Sequence, residues 1–250
     1  MTWNPAVFFH WLNEAHSINF SIFYDAYDRG RFLRGMWTTL ELSGYSIVLS
    51  VMLGVLAAWL QQAPSRVVRA LVAGYVQVFR NTPQLVQLAF FYFGVSTLLP
   101  TFTNASGQAV PLINNFGWAV ISLSLFSGAF NAEIFRAGIE AVPSTTVEAA
   151  ESLGYSRVGA YVHVILPLAL RVCLPALTNN LIALVKLTSL AYAIGVSDIL
   201  SISSQIWTEA MNVREMMLVM LVVYVAFVAV LAAAMERLER ALRVPGFGHG

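Results

Sequence analysis

The amino-acid sequence predicts an all-α membrane protein with about five transmembrane helices. Hydrophobic residues make up 58% of the 250 residues and charged residues only 11%, whereas a soluble domain carries about 25% charged residues. The strongest single signal is the stretch at 216–235, which contains twenty consecutive residues without a charge. A helix needs about 20 mostly apolar residues to cross a bilayer. Lipid must therefore replace water as the solvent around most of the chain.

Four further apolar stretches complete the predicted membrane domain. The predicted spans are residues 37–60, 67–99, 116–135, 167–194 and 216–235. The second span is predicted to be interrupted at residues 80–84, with the sequence RNTPQ. A proline and a charge at membrane depth require cover from protein or water. The fourth span is predicted to be interrupted by Pro175 and by Asn179 and Asn180.

The arginine distribution predicts which parts of the chain lie in the cytoplasm, because loops rich in Lys and Arg stay on that side. One side has Arg66, Arg69, Arg136, Arg157, Arg171, Arg237, Arg240 and Arg243, and the other has Arg29, Arg31, Arg34 and Arg214. The first side is therefore predicted to be cytoplasmic. Residues 1–34 are then an extracytoplasmic arm with the N-terminus outside. Residues 35–240 are the membrane domain, and residues 241–250 are a cytoplasmic C-terminal tail.

Several functions are disfavoured by what the sequence lacks. The net charge of +1 gives no reason to expect a nucleic-acid partner. The single lysine, Lys186, follows no glycine-rich loop, so the chain has no phosphate-binding loop for ATP. Neither H-E-x-x-H nor G-x-S-x-G occurs, and the four histidines have no metal-ligand spacing. Cys173 is interpreted as a small buried residue. We therefore expect no enzyme activity, bound metal or cofactor in this chain.

The longest predicted cytoplasmic loop, residues 141–166, has the sequence of a short helix with both ends specified. Thr145 is predicted to cap the helix, and Glu148 lies three residues later, which completes a capping box. Gly154 is predicted to end the helix in a left-handed conformation. Pro167 suits the first turn of the next span.

The same loop carries a longer spacing pattern. Ala149 and Ala150 would give a face that another protein can approach closely. From Glu148 the sequence reads E-A-A, three residues, Gly, nine residues, Val, one residue, then Leu166 and Pro167. This spacing resembles the EAA loop of the permease subunits of ABC importers, with valine in place of the usual isoleucine. An ordinary solvated loop helix is the alternative interpretation.

Two further segments resemble the branch of this family that imports polar amino acids, which includes the histidine, glutamine and glutamate permeases. They are RNTPQLVQLAFFYFG at 80–94 and KLTSLAYAIGVSDI at 186–199. The chain departs from the branch at Thr145 and Thr146, where Gly-Gln is usual, and at Leu187, where Asp is usual. The C-terminal sequence RLERALRVPG resembles the glutamate/aspartate type.

The resemblance implies a type I ABC importer permease in a bacterial inner membrane, with a cytoplasmic EAA coupling helix. It implies two ABC ATPase subunits that use ATP and Mg, a second permease subunit, identical or homologous, and an extracytoplasmic amino-acid-binding protein. The residues implied in ATPase coupling are Thr145, Glu148, Ala149, Ala150, Gly154, Leu166 and Pro167. An ion-coupled secondary amino-acid transporter or channel is the alternative, but it should show inverted repeats, and none is evident. A membrane-embedded enzyme is a third interpretation.

Polar side chains within the predicted spans are candidates for a substrate pathway, because such groups usually face the bundle interior or a water-filled cavity. The candidates are Arg80, Gln84, Asn131, Glu133, Asn180, Lys186, Thr188 and Ser189. Structural roles are open for the same residues. Glu133 can pair with Arg136 three residues later, and Lys186 can pair with an acid or extend toward the interface. Arg80 can hold the interrupted span together, and amides and hydroxyls can bridge helices.

Overall fold

The computed structural model describes residues 5–103 and 106–241, and most of them are helical. The first helices are α1 (Pro5–His16), α2 (Ser21–Tyr24), α3 (Ala26–Leu60), α4 (Arg66–Asn81) and α5 (Gln84–Ala89). The later helices are α6 (Asn115–Glu140), α7 (Ser144–Ser152), α8 (Arg157–Ala160), α9 (Leu166–Leu187), α10 (Ile199–Ala210) and α11 (Val213–Ala241). One antiparallel hairpin joins β1 (Thr101–Thr103) to β2 (Ala109–Pro111).

Four of the described helical segments are long and apolar enough to cross a membrane. They are Ala26–Leu60, Asn115–Glu140, Arg157–Ile194 and Val213–Ala241. Helix α3 begins at Ala26 and not at residue 37, so the predicted arm of residues 1–34 contains its first turns. With a rise of about 1.5 Å per residue, α3 is longer than the roughly 30 Å hydrocarbon core. Polar residues can therefore occupy its first turns without entering the hydrocarbon.

The predicted crossing at 67–99 is broken, as expected, close to Pro83. Helix α4 ends at Asn81, Thr82 is extended, and α5 starts at Gln84. A proline has no N–H to donate and pushes the preceding residue out of the helical conformation. The helix then continues as a π turn at Phe90–Gly94 and a 3₁₀ turn at Val95–Leu98.

The predicted interruption around Pro175 does not occur. Helix α9 runs without a break through Pro175, Asn179 and Asn180. A single proline removes one backbone hydrogen bond, whereas a full break would leave several buried backbone groups without partners. The helix changes to 3₁₀ geometry only at Thr188–Ile194.

Pro167 lies in the first turn of α9, as predicted, but α9 is not the start of the helical segment. Helical structure already begins at Arg157, and a π turn at Tyr161–Ile165 leads into α9. A proline ring inside a helix collides with the carbonyl one turn earlier. A π turn has i→i+5 hydrogen bonds and is wider than an α turn, which leaves room for the proline ring at that place.

The described chain divides into two compact units. Unit 1 comprises the described residues of Met1–Ser46, Leu85–Ser122 and Val185–Val228. Unit 2 comprises the described residues of Ile47–Gln84, Leu123–Leu184 and Ala229–Gly250. The core of unit 1 contains Ile22, Phe32, Ile199, Ile206 and Met216. In unit 2, Leu174, Leu177 and Leu181 on one face of α9 pack with Met235 of α11.

Candidate functional site: coupling helix and polar intramembrane cluster

The segment after α6 forms a short helix with a well-defined C-terminal end. In the turn that ends α7, the Gly154 N–H donates to the Glu151 carbonyl at 3.0 Å, and the Tyr155 N–H donates to the Ala150 carbonyl at 3.2 Å. This pair of bonds is the Schellman arrangement. Gly154 has φ +88°, as predicted, and a side chain is strained in that conformation.

The other end of α7 differs from the prediction. The helix begins at Ser144 after Pro143, which occupies the capping position, and no side chain caps it. Thr145 therefore lies inside the first turn and does not cap, and the predicted capping box with Glu148 is not formed. The proline supplies an extended backbone at the cap, and its carbonyl accepts the Thr146 N–H at 3.0 Å.

The two alanines of α7 have different surroundings. Glu148 and Ala149 are exposed, whereas Ala150 is only 4% exposed. The prediction that both alanines form an approachable face is therefore wrong for Ala150. In a helix, neighbouring positions point about 100° apart, so one alanine faces outward and the next faces the rest of the loop.

Apolar side chains surround the exposed side of this segment. Leu153 is 80% exposed and Val158 is 74% exposed, and Tyr155, Val162 and Leu166 are also exposed. A local group of exposed apolar side chains is typical of a protein-interaction surface. Residues 144–166 are the candidate for contact with an ATPase, and we call them the coupling segment from here on.

A second polar group lies in unit 2, where α4 and α6 carry charges. Glu133 accepts from the Arg136 guanidinium at 2.7 Å, so the predicted i,i+3 pair is confirmed. Glu133 also accepts from the Gln61 amide at 3.1 Å. The Arg80 guanidinium lies 3.8 Å from Glu133 and over the Phe130 ring. Arg80 is therefore the least tightly paired of the arginines near Glu133.

Two cavities border this charged group. One, of about 330 Å³, is lined by Gln61, Arg69, Ala73, Val76, Gln77, Glu133 and Arg136. The other, of about 280 Å³, is lined by Arg80, Phe130, Glu133, Ile134, Ala137, Gly138, Val172, Cys173 and Ala176. The second cavity has opposite charges at Arg80 and Glu133 and an otherwise largely apolar wall. Such a combination is typical of small-molecule sites.

Asn131 and Asn180, both predicted on the substrate pathway, belong to a network that bridges three helices. The Asn180 amide donates to the Asn131 side-chain oxygen at 2.8 Å and to the Ser127 hydroxyl at 3.0 Å. The Asn131 amide donates to the Ser50 hydroxyl at 3.3 Å. Asn131 is fully buried, and a Cβ added at Gly54 would lie 2.4 Å from the Asn131 Cβ. The structural interpretation, bridging of helices, therefore describes both residues here.

The other candidates are more dispersed. Gln84 is buried at the start of α5. Lys186 is exposed near the end of α9, and within residues 5–103 and 106–241 it has no ion-pair partner. Thr188 is buried and donates to the Val185 carbonyl, and the Ser189 hydroxyl donates to the Lys186 carbonyl. Both hydroxyl bonds are local to the helix.

Sequence reasoning missed two features of unit 1. Arg31 is 8% exposed and donates to Asp28 at 2.7 Å and to both Glu209 oxygens at 3.0 and 2.6 Å. This hydrogen bonding by Arg31 lowers the pKa of Glu209. Asp198 is fully buried and caps α10 by accepting the Ser201 N–H at 2.8 Å. The i,i+3 spacing of Asp28 and Arg31 could have signalled the first feature, and an aspartate directly before the apolar start of α10 could have signalled the second.

No cluster of three or more His, Cys, Asp or Glu side chains that could hold a metal ion occurs in the part of the chain that the structure describes. Cys173 is buried, as predicted.

Comparison with known proteins identifies the family. The model of the family described as "binding-protein-dependent transport system inner membrane component" matches residues 50–244. The probable amino-acid ABC transporter permease protein PatM of Vibrio harveyi is 36% identical over 169 residues, which cover 68% of this chain and 72% of that protein. The glutamate transport system permease protein GluC of Corynebacterium efficiens is 34% identical over 167 residues, 66% of this chain and 73% of that one.

Solved structures agree with this result. An amino acid ABC transporter crystallised with histidines aligns with a TM-score of 0.73 and 29% identity, and covers 85% of this chain and 94% of its own. The MetNI methionine ABC transporter in an inward-facing conformation aligns with a TM-score of 0.65 and 22% identity, over 85% of this chain and 96% of its own. The second likeness concerns the fold alone. Together they confirm the predicted type I importer permease fold.

These matches separate the chain from ion-coupled secondary transporters, because the matched family works with a binding protein. In this family ATP is hydrolysed by separate subunits, so the expectation that the chain is not an enzyme is confirmed. The chain therefore belongs to the inner-membrane permease subunits of binding-protein-dependent ABC transport systems, in the branch of amino-acid permeases.

Proposed function

We propose that this chain carries a polar amino acid into the cytoplasm by alternating access. Glutamate, aspartate or glutamine is the favoured cargo, and two separate ABC ATPase subunits that use ATP and Mg supply the energy. A second permease subunit, identical or homologous, completes the membrane part, and an extracytoplasmic binding protein delivers the amino acid. The names of the relatives support a polar cargo, since one is a glutamate permease and another, 31% identical, transports histidine, lysine, arginine and ornithine.

The observation that carries this proposal is the coupling segment. It combines a short helix, a turn fixed by Gly154, and exposed apolar side chains beside it. Movement of a docked ATPase would be transmitted through the π turn at Tyr161–Ile165 into α9. Thr145, Glu148 and Ala149 are exposed and available to a partner. Ala150, Gly154 and Pro167 would shape the segment and its connection to α9.

The cavity of about 280 Å³ supports an amino-acid cargo. Every amino acid carries a carboxylate and an ammonium group on one carbon. Arg80 can donate hydrogen bonds to the carboxylate, because its guanidinium is only loosely paired, at 3.8 Å from Glu133. Glu133 is bonded to Arg136 and Gln61, and its negative charge beside the cavity can attract the ammonium group. A charge inside a membrane domain usually faces such a route.

The membrane orientation is part of the proposal. The arginine-rich side would be cytoplasmic, which puts the coupling segment and the C-terminus inside and the N-terminus outside. Arg136 and Arg157, on the predicted inner side, flank α7. Of the inner arginines, Arg243 lies outside the described residues. In this orientation the coupling segment would lie in the cytoplasm, the compartment that contains ATP.

The coupling role is tested by Ala149→Trp, because Ala149 is exposed on α7. We expect the variant to lose ATP-driven uptake at least about tenfold, since a bulky side chain blocks close approach of a partner, with no change in thermal stability of the solubilised chain. Ala234→Trp, at another exposed alanine near the end of α11, is the matched control. Ala150→Asp is unsuitable as a docking test, because burying a charge there would unfold the segment itself.

Uptake of radiolabelled glutamate and glutamine is measured in proteoliposomes that contain the complex purified from its native membrane. The proteins that copurify with the chain are identified by mass spectrometry. An ATPase with a phosphate-binding loop should copurify in near-equal amount. Uptake by Ala149→Trp at the rate of the unmodified chain would contradict docking at α7. Uptake in vesicles without ATP would contradict the proposed function as a whole.

A further inference from the structure

Two neighbouring asparagines of α9 have different environments. Asn180 donates to Ser127 and Asn131 and belongs to the bridging network. Asn179 is exposed, and among the residues that the structure describes no hydrogen bond to its amide is found. The sequence pattern could not separate the two, since both are amides at adjacent positions of one helix.

The position of Asn179 makes its exposure informative. It lies near the middle of the helical segment Arg157–Ile194, which is long and apolar enough to cross a membrane. Transfer of an amide from water to hydrocarbon without a hydrogen bond costs about 4–8 kcal/mol. The side chain must therefore face water, another protein or a ligand instead of lipid tails.

Asn179 shares a face of α9 with the wall of the cavity described above. Val172, Ala176 and Asn179 follow the i, i+4, i+7 spacing of one helical face. Val172 and Ala176 line the cavity that contains Arg80 and Glu133. Asn179 is three residues beyond Ala176, which is a rise of about 4.5 Å. That distance is similar to the length of a short polar amino-acid side chain.

We propose that the Asn179 amide contacts the side chain of the transported amino acid and selects a carboxylate or carboxamide at its end. An asparagine amide can donate to a carboxylate and can both donate to and accept from a carboxamide. Arg80 and Glu133 would bind the carboxylate and ammonium groups that all amino acids share. Asn179 would contact the side chain, in which amino acids differ. This inference rests on the proposed function, because it concerns the cargo of the same cavity.

The first test measures uptake by the assembled complex in proteoliposomes, with radiolabelled glutamate and glutamine as probes. Asn179→Ala should raise KM for the preferred probe about tenfold, with kcat and Tm unchanged, because one hydrogen bond to the cargo is lost. It should also weaken the preference for the probe over norvaline, which has an apolar side chain. Asn180→Ala is the matched control. It should lower Tm, because it leaves the side-chain oxygen of buried Asn131 without its donor.

The second test does not depend on transport. Asn179→Cys is made in a Cys173→Ser background, which removes the only native cysteine. A hydrophilic methanethiosulfonate reagent should label the new thiol, and glutamate or glutamine should protect it. Leu221→Cys on the exposed apolar side of α11 is the control for a lipid-facing site and should not react.

The outcomes are distinct. Labelling with protection, combined with the shift in KM, supports the inference. A thiol at 179 that does not react, or a variant with unchanged KM and side-chain preference, overturns it. An unreactive thiol would assign this face to contact with the second permease subunit. If the unmodified complex takes up amino acids without ATP, the proposed function fails, while protection of the thiol by glutamate or glutamine would still support a cargo contact at Asn179.

Discussion

Two clusters of charged side chains, one in each unit, use the same residue types in different ways. In unit 1, Arg31 is buried and bonded to Asp28 and Glu209 at 2.6 to 3.0 Å. In unit 2, the Arg80 side chain is 40% exposed and lies 3.8 Å from its nearest carboxylate, Glu133. A buried arginine bonded to two carboxylates therefore has a structural role, whereas a loosely paired arginine beside a cavity stays available to a ligand.

The largest effect is expected from Arg31→Leu. The change leaves Asp28 buried without its cation, and removal of one partner of a buried ion pair costs about 3–5 kcal/mol. The free energy of unfolding should fall by that amount, and thermal unfolding of the detergent-solubilised chain would show it as a lower Tm. Arg29→Leu, an exposed arginine on the same helix, is the control and should change Tm little. Equal Tm values for the two variants would contradict a structural role of Arg31.

A pH-dependent effect is expected from Asp198, which also lies in unit 1 and outside the four membrane-spanning segments. Burial raises its pKa from 3.8 to about 6, and its Oδ2 atom has no hydrogen-bond partner among the described residues. The folded state therefore holds the proton more tightly than the unfolded chain. The contribution of Asp198 to stability is full below about pH 4 and is lost as the pH rises through about 6.

Asp198→Asn should remove this pH dependence, which amounts to about 3 kcal/mol at most. Asparagine caps a helix about as well as aspartate, so the variant should exceed the unmodified chain in Tm at neutral pH. Thermal unfolding at about pH 5 and about pH 7 measures the difference for each protein. Asp25→Asn, at an exposed aspartate, should keep the pH dependence of the unmodified chain. An unchanged pH dependence in Asp198→Asn would show that Asp198 is not its source.

The smallest effect on stability, with a clear effect on transport, is expected from Arg80→Ala. Loss of one charge-assisted hydrogen bond to the cargo is worth about 1.5–3 kcal/mol, so KM should rise roughly ten- to a hundredfold. Stability should change by less than about 1 kcal/mol, because a half-exposed ion pair at 3.8 Å contributes little. Arg66→Ala, at an exposed arginine on the same helix, should leave KM unchanged. A large fall in Tm with unchanged KM would make Arg80 a structural residue like Arg31.

The helical membrane fold and the break near Pro83 could be predicted from the sequence, because both depend on local composition. Long apolar stretches cross membranes, and a proline next to a polar run interrupts a helix. The prediction for Gly154 was correct for the same reason, since the left-handed conformation is a local requirement. Pro175 misled the prediction, because whether a proline breaks a helix depends on what packs around it.

The candidate site could be predicted only in part. Asn179 and Asn180 carry the same signal in sequence, and only packing separates the exposed amide from the bonded one. Arg31 and Glu209 are 178 residues apart, so no spacing pattern connects them. The directions in which Ala149 and Ala150 face depend on how the nine-residue helix α7 packs against the rest of its loop. Non-local packing decides all three.

The absence of space at Gly54 has a mechanical consequence. Where α3 crosses α6, a single methyl group on Gly54 would overlap Asn131, and hydrogen bonds from Asn131 to Ser50 and from Asn180 to Asn131 surround that crossing. Neither helix can slide or turn against the other there without a collision or a broken bond. During a transport cycle these parts of α3 and α6 should therefore move as one rigid body. The motion that opens and closes the route must come from helices joined by looser contacts.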